Sequence, residues 1–169
     1  MLTQSAILRA CLSILASASL LPGVHAETGA PIYLQANTIH YDHVSGLSNY
    51  RGKVRLTRAD LYIRADKATV RQHENEVATV NASGQPIVLR KGATNAIDLT
   101  VIRGERLEFD AVNNTVVITG NVITTRGRDT IRSTKLTYHL DDNHIIADRD
   151  NNASPVVAEL RPRPKVAPK

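Results

Sequence analysis

The chain has 169 residues, 42% of them hydrophobic, and a formal charge of +5, which is enough material for one domain with its own core. It has no Trp, one Phe and one Cys, and no dense Lys/Arg run beside stacking aromatics. That composition sets aside a disulfide or Cys-metal scaffold and gives no footprint for nucleic-acid binding.

Residues 1–26 read as a cleaved signal peptide. Arg9 is the only charge before Glu27, and the chain is small or apolar from Ala10 to Leu21. That run of 12 residues falls short of the roughly 20 that a membrane-spanning helix needs. Pro22 and Gly23 break a helix, and Val24-His25-Ala26 places small residues where a signal peptidase reads them. Cleavage after Ala26 removes Met1, Arg9 and Cys11. Lys plus Arg then falls from 21 to 20 while Asp plus Glu stays at 16, leaving +4. A mildly basic surface suits an anionic partner such as a phosphorylated lipid, and equally serves simple solubility.

From residue 27 to about 160 the pattern is that of an all-β domain. Ile39 and Tyr41 flank His40, Val54 and Leu56 flank Arg55, and Leu61, Ile63 and Ala65 interleave with Tyr62 and Arg64. Leu107 and Phe109 flank Glu108, and residues 114–119 and 122–125 are rich in β-branched side chains. Alternation at period two is the mark of a half-buried strand. Turns are expected at Ser45-Gly46, 73–75, 83–86, Asn113-Asn114 and 141–143. Many short antiparallel strands at this spacing argue for a sandwich, jelly roll or barrel. Residues 161–169, with prolines at 162, 164 and 168, read as a mobile basic tail.

The domain also contains an internal two-fold repeat. A shift of 68 residues lays 36–79 on 104–147 without a gap, and eleven of the 44 positions are identical. Asp42 falls on Asp110, Gly52 on Gly120, Val54 on Val122, Ile63 on Ile131 and Lys67 on Lys135. One β-unit used twice, each copy covering the other's exposed edge and apolar face, accounts for this. In each copy a strand ends near Gly52 or Gly120, where a bulge or tight bend is expected.

No catalytic constellation emerges. His40, His43, His73, His139 and His144 form no metal-ligand spacing, and His139, Asp141, Asp142 and His144 bracket an expected turn. Asp60, Asp66, Glu105 and Glu108 are dispersed beside basic residues, as cross-strand partners are. The expectation is a protein that is not an enzyme and takes no cofactor or metal. The inward members of the alternations are Ile32, Leu34, Ile39, Tyr41, Leu56, Ile63, Leu89, Leu107, Phe109, Ile118 and Tyr138. If two sheets stay parted, these line a space for acyl chains, since each buried CH₂ is worth about 0.8 kcal/mol. If the sheets close, the same residues form a dry core. Alternation alone leaves both open.

Several segments carry a family resemblance. Pro31-Ile32-Tyr33-Leu34-Gln35-Ala36, Gly52-Lys53-Val54 leading to Ile63-Arg64-Ala65-Asp66-Lys67, and Gly84-Gln85-Pro86 resemble the OstA-like domain of the LptA family. So do Val117-Ile118-Thr119-Gly120-Asn121-Val122 and residues 131–138, over a stretch from about 31 to 147. The first copy has Gly-Lys-Val where the family has Gly-Asn-Val. The resemblance implies a slightly twisted, open β-jelly roll. It implies a periplasmic bridge that carries lipopolysaccharide from the inner to the outer membrane, acyl chains inside and sugars in solvent. Implied partners are an LptC-like inner-membrane protein, an LptD-like outer-membrane protein and further copies of the chain. Copies would join head to tail by edge strands near 31–36 and 145–158. Lipid-contact positions carried over from the family are Ile32, Leu34, Leu89 and Phe109, together with Thr28 and Ala111. Two alternatives are an LptC-like component with a retained membrane anchor and a periplasmic scaffold that binds no lipid.

Overall fold

A computed structural model describes residues 30–73, 76–92, 99–149 and 154–161. The expected signal peptide, Thr28 and tail residues 162–169 lie outside the described residues. Arg161, the first residue of the expected tail, is held. Its N–H donates to Asp129 Oδ1 at 3.0 Å and its side chain pairs with Glu159 at 2.8 Å.

Among the described residues every regular element is a strand: β1 (Tyr33–Gln35), β2 (Thr38–Asp42), β3 (Leu47–Arg58), β4 (Leu61–His73), β5 (Glu76–Lys91), β6 (Thr100–Asp110), β7 (Thr115–Arg126), β8 (Asp129–His139), β9 (His144–Asp148) and β10 (Val157–Glu159). They form one antiparallel sheet in the order β1-β3-β4-β5-β6-β7-β8-β10, with β2 beside β3 and β9 beside β8.

The six long strands all bend near their middles. The ladder shifts register between Arg51 and Val54, Arg64 and Lys67, Ser83 and Ile87, Arg103 and Arg106, and Thr119 and Val122. This line of irregularities crosses the whole sheet and folds it over, as β-bulges bend the strands they interrupt. Layer one holds β1, 54–58, 61–65, 87–91, 100–104, 122–126, 129–133 and β10. Layer two holds β2, 47–51, 67–73, 76–83, 106–110, 115–119, 135–139 and β9. The expectation that strands end at Gly52 and Gly120 is therefore corrected: β3 and β7 run through them. Residues 83–86 are likewise a bend inside β5, not a chain reversal. The bend satisfies a bulge's need for left-handed backbone, with φ of +77° at Gly52 and +83° at Gly120.

The repeat holds in detail. β3 and β7 are related by the 68-residue shift, and Thr38↔Arg51 recurs as Arg106↔Thr119. Asp42 Oδ1 accepts from Val44 N–H at 2.9 Å, and Asp110 Oδ1 accepts from Val112 N–H at 2.9 Å. These turn hydrogen bonds hold both carboxyls below the usual carboxylate range. The copies lie edge to edge, joined by β5 against β6. At the two ends of the sheet, the places of single long strands are taken by two short pieces each, β1 with β2 and β9 with β10.

Candidate lipid-binding interior

The inner faces of the two layers meet across one apolar cluster. Parity assigns its members, because residues two apart on a strand share a face. In layer one Val54, Leu56, Leu61, Ile63, Ile87, Leu89, Ile102 and Val122 point in. In layer two Val70, Val80, Leu107, Phe109, Val116, Ile118, Leu136 and Tyr138 answer them, all at 3% exposure or less. β4, β5, β6 and β8 change parity at the bend, so Ala65 and Ala68 both face inward although three residues apart.

The mouth opposite the bend is bridged by a few polar contacts between strand tips. Arg58 Nη1, from layer one, donates to Asn114 Oδ1 of layer two at 2.8 Å, and its guanidinium stands 5.8 Å from the Phe109 ring centroid. Asn114 Nδ2 in turn donates to Asp141 Oδ1. Tyr138 donates its hydroxyl to Asn143 Oδ1 and meets Thr100 of layer one. Burial pushes the Tyr138 hydroxyl above its ordinary value, with the Thr100 hydrogen bond opposing.

Of the eleven residues expected to line the interior, Leu56, Ile63, Leu89, Leu107, Phe109, Ile118 and Tyr138 are brought together there, packed against their own neighbours. Ile32 and Leu34 are partly buried at its N-terminal end, and the family-matched Ala111, which follows β6, is also partly buried against it. Ile39 and Tyr41 face the expected side without being packed into the interior. Their register opposite Tyr50 and Ser48 puts them on the inner side, but they stay 51% and 48% exposed. The reason is position: β2 is an edge, with no strand beyond it among the described residues to complete the layer. At the other edge, Ile145 pairs opposite Tyr138 on the inner side and is partly buried.

Alternation in short windows missed Ile87, Ile102, Val116 and Leu136. It also missed two hydroxyls on the inner face, Thr124 and Ser133, at 3% and 9% exposure. Parity counted onward from Val122 would have found Thr124; Ser133 lies past the parity change of β8. Outside, layer one carries Arg55, Arg64, Arg103 and Arg132 in one cross-strand row, with Arg55 directly opposite Arg64. His139 and His144 stack at 6.3 Å across the last turn, where Asp142 Oδ1 caps His144 N–H at 3.2 Å. Among the described residues no group of three or more His, Cys, Asp or Glu is placed to hold a metal ion.

A chain whose described elements are all strands, duplicated and folded into two layers with an apolar interior, has a matching family. The family described as LptA/(LptD N-terminal domain) LPS transport protein matches residues 33–144 and again 101–159. The second match starts 68 residues after the first, at the offset of the repeat. The chain belongs to this family of lipopolysaccharide transport proteins. It is accordingly a transport component and not an enzyme.

Solved structures agree on the open jelly-roll fold. The LptA-family chain is similar to LptH from Pseudomonas aeruginosa, described as the LptA homologous periplasmic component of the conserved lipopolysaccharide transport device. The TM-score is 0.71 at 22% identity, over 79% of this chain and 96% of LptH. No curated protein sequence matches the chain significantly.

Proposed function

We propose that this chain is a periplasmic bridge element that binds lipopolysaccharide by its acyl chains and passes it from inner to outer membrane. The observation that carries the reading is the pair of divided edges. β1/β2 and β9/β10 each present one short strand per layer, with apolar residues on the inner side: Leu34, Ile39 and Tyr41 at one end, Ile145 and Ala147 at the other. Pairing the last strands of one copy with the first of the next would extend both layers and the interior between them. Unpaired strand edges are natural templates for such addition. LptC-like and LptD-like proteins would occupy the two ends of the chain of copies.

The centre of the interior is filled by its own side chains, so acyl chains enter as the layers part at the mouth. Parting breaks the Arg58–Asn114 contact and separates apolar faces. A multi-chain lipid restores that burial at about 0.8 kcal/mol per CH₂. The filled centre also favours one rival, a scaffold that joins proteins and holds no lipid. Photo-crosslinking groups at Leu89 and Phe109 discriminate. Adducts with lipopolysaccharide are expected; adducts to partner proteins alone would overturn the lipid reading. A mature N-terminus at Glu27 is expected from a secreted bridge, whereas an intact Met1 would mean an anchored, LptC-like component.

A further inference from the structure

The interior contains its own control, because it is built twice. At positions 68 apart, the first copy turns Leu56 and Ala65 inward, and the second turns Thr124 and Ser133 inward. Their pairings correspond: Leu56↔Ile63 with Thr124↔Ile131, and Val54↔Ala65 with Val122↔Ser133. The fold is therefore made in the first copy without a hydroxyl at either place. In the second copy, Thr124 Oγ1 and Ser133 Oγ are buried and have no hydrogen-bond partner among the described residues. An unmet buried hydroxyl destabilises a protein, and such groups are rare enough that each calls for a reason.

Thr124 borders a cavity of about 270 Å³ between the layers, at the C-terminal end of the interior. Ile131 and Ile145 give this cavity apolar walls, and the exposed Arg126 and His144 stand at its rim. Its two other polar side chains are already engaged: Asp129 accepts from Arg161 N–H at 3.0 Å, and Asn143 Oδ1 accepts from the Tyr138 hydroxyl. A hydroxyl buried just behind the wall and uncovered as the layers part, hydrocarbon around it and a cation at the opening match one chemistry. They fit the head of a fatty acyl group that carries an anion.

We propose that this cavity is an acyl-carbonyl subsite. The Thr124 hydroxyl donates to the ester or amide carbonyl of a chain lying on Ile131 and Ile145, and the anionic head lies toward Arg126. Ser133, the other hydroxyl without a partner among the described residues, stands nearer the bend and does not line this cavity. The inference rests on the lipid-binding reading above and adds which part of the lipid is recognised, and where.

Two probes test it on the purified protein: 1-lauroyl lysophosphatidic acid, which has a carbonyl, and dodecyl phosphate, which has none. Thr124→Val should weaken the ester probe roughly threefold to tenfold, the worth of one buried hydrogen bond, and leave dodecyl phosphate unchanged. Thr124→Ser should retain the ester preference. Unliganded Thr124→Val should melt no lower than the parent, since it loses an unpartnered hydroxyl; Ser133→Ala, which installs the first copy's residue, should do the same. Equal affinities of parent and Thr124→Val for the ester, equal losses for both probes, or a clear fall in Tm would each overturn the proposal. Lipopolysaccharide binding by the parent is measured alongside. If it is absent together with both probes, the lipid-binding reading fails; if it is present, a failure touches this subsite alone.

Discussion

Replacing Gly120 by Ala puts a methyl group into the bend of β7. At φ of +83° the backbone is left-handed, which costs an L-residue about 1–2 kcal/mol. The new Cβ would stand 2.6 Å from Glu105 Oε2 and 2.8 Å from Glu105 Cβ. The carboxylate can swing away, but the Glu105 Cβ moves only with β6. The hydrogen bond from Asn121 Nδ2 to Glu105 Oε1, 2.6 Å, is then lost, at about 0.5–1.5 kcal/mol. Alanine also stiffens the unfolded chain, which offsets about 0.4–1 kcal/mol. The net expectation is a loss of about 0.5–3 kcal/mol. Urea unfolding followed by far-ultraviolet circular dichroism should show a lower midpoint at unchanged m. Gly52→Ala repeats the experiment in the first copy, where the Cβ would meet Asn37 Nδ2 at 2.8 Å and φ is +77°. Midpoints unmoved by either change would refute the account of how the sheet folds into two layers.

Phe109→Ala empties the centre of the interior and should cost about 3–5 kcal/mol in the same urea assay. Arg55 lies directly opposite Arg64. Arg55→Gln should therefore leave stability unchanged or raise it by a few tenths of a kcal/mol, and the gain should vanish in 1 M salt. Asp42 and Asp110 have folded-state pKa values below their ordinary ones, so their contribution is present above pH about 4 and is lost as pH falls through the depressed values. A thermal scan from pH 6 to 2 should show the decline, and the double variant Asp42→Asn/Asp110→Asn should show a shallower one. Ile39→Asp, at a half-exposed edge position, should leave Tm intact. It should abolish any growth of mass with concentration in light scattering; undiminished growth would move the self-association surface elsewhere.

The amino-acid sequence alone determined the strand class, the duplication and the turns with local causes. Asp42 and Asp110 cap turns within three residues, and Gly46 and Asn114 take positive φ in their own hairpins. Such signals act over a few residues, so a linear reading catches them. It also set the inner face of Leu107 and Phe109, because parity is preserved within half a strand. Only the tertiary structure decided that Gly52 and Gly120 lie inside continuous strands. A bulge exists only relative to a neighbouring strand, and the parity change from Ala65 to Ala68 follows from that ladder. It also decided that Ile39 and Tyr41, with the same alternation as Leu107 and Phe109, remain half-exposed. Burial depends on what lies beyond the next strand, and among the described residues no strand lies beyond β2. The unpartnered Thr124 and Ser133 belong to the same class: whether a hydroxyl finds an acceptor is settled by the packed layers around it.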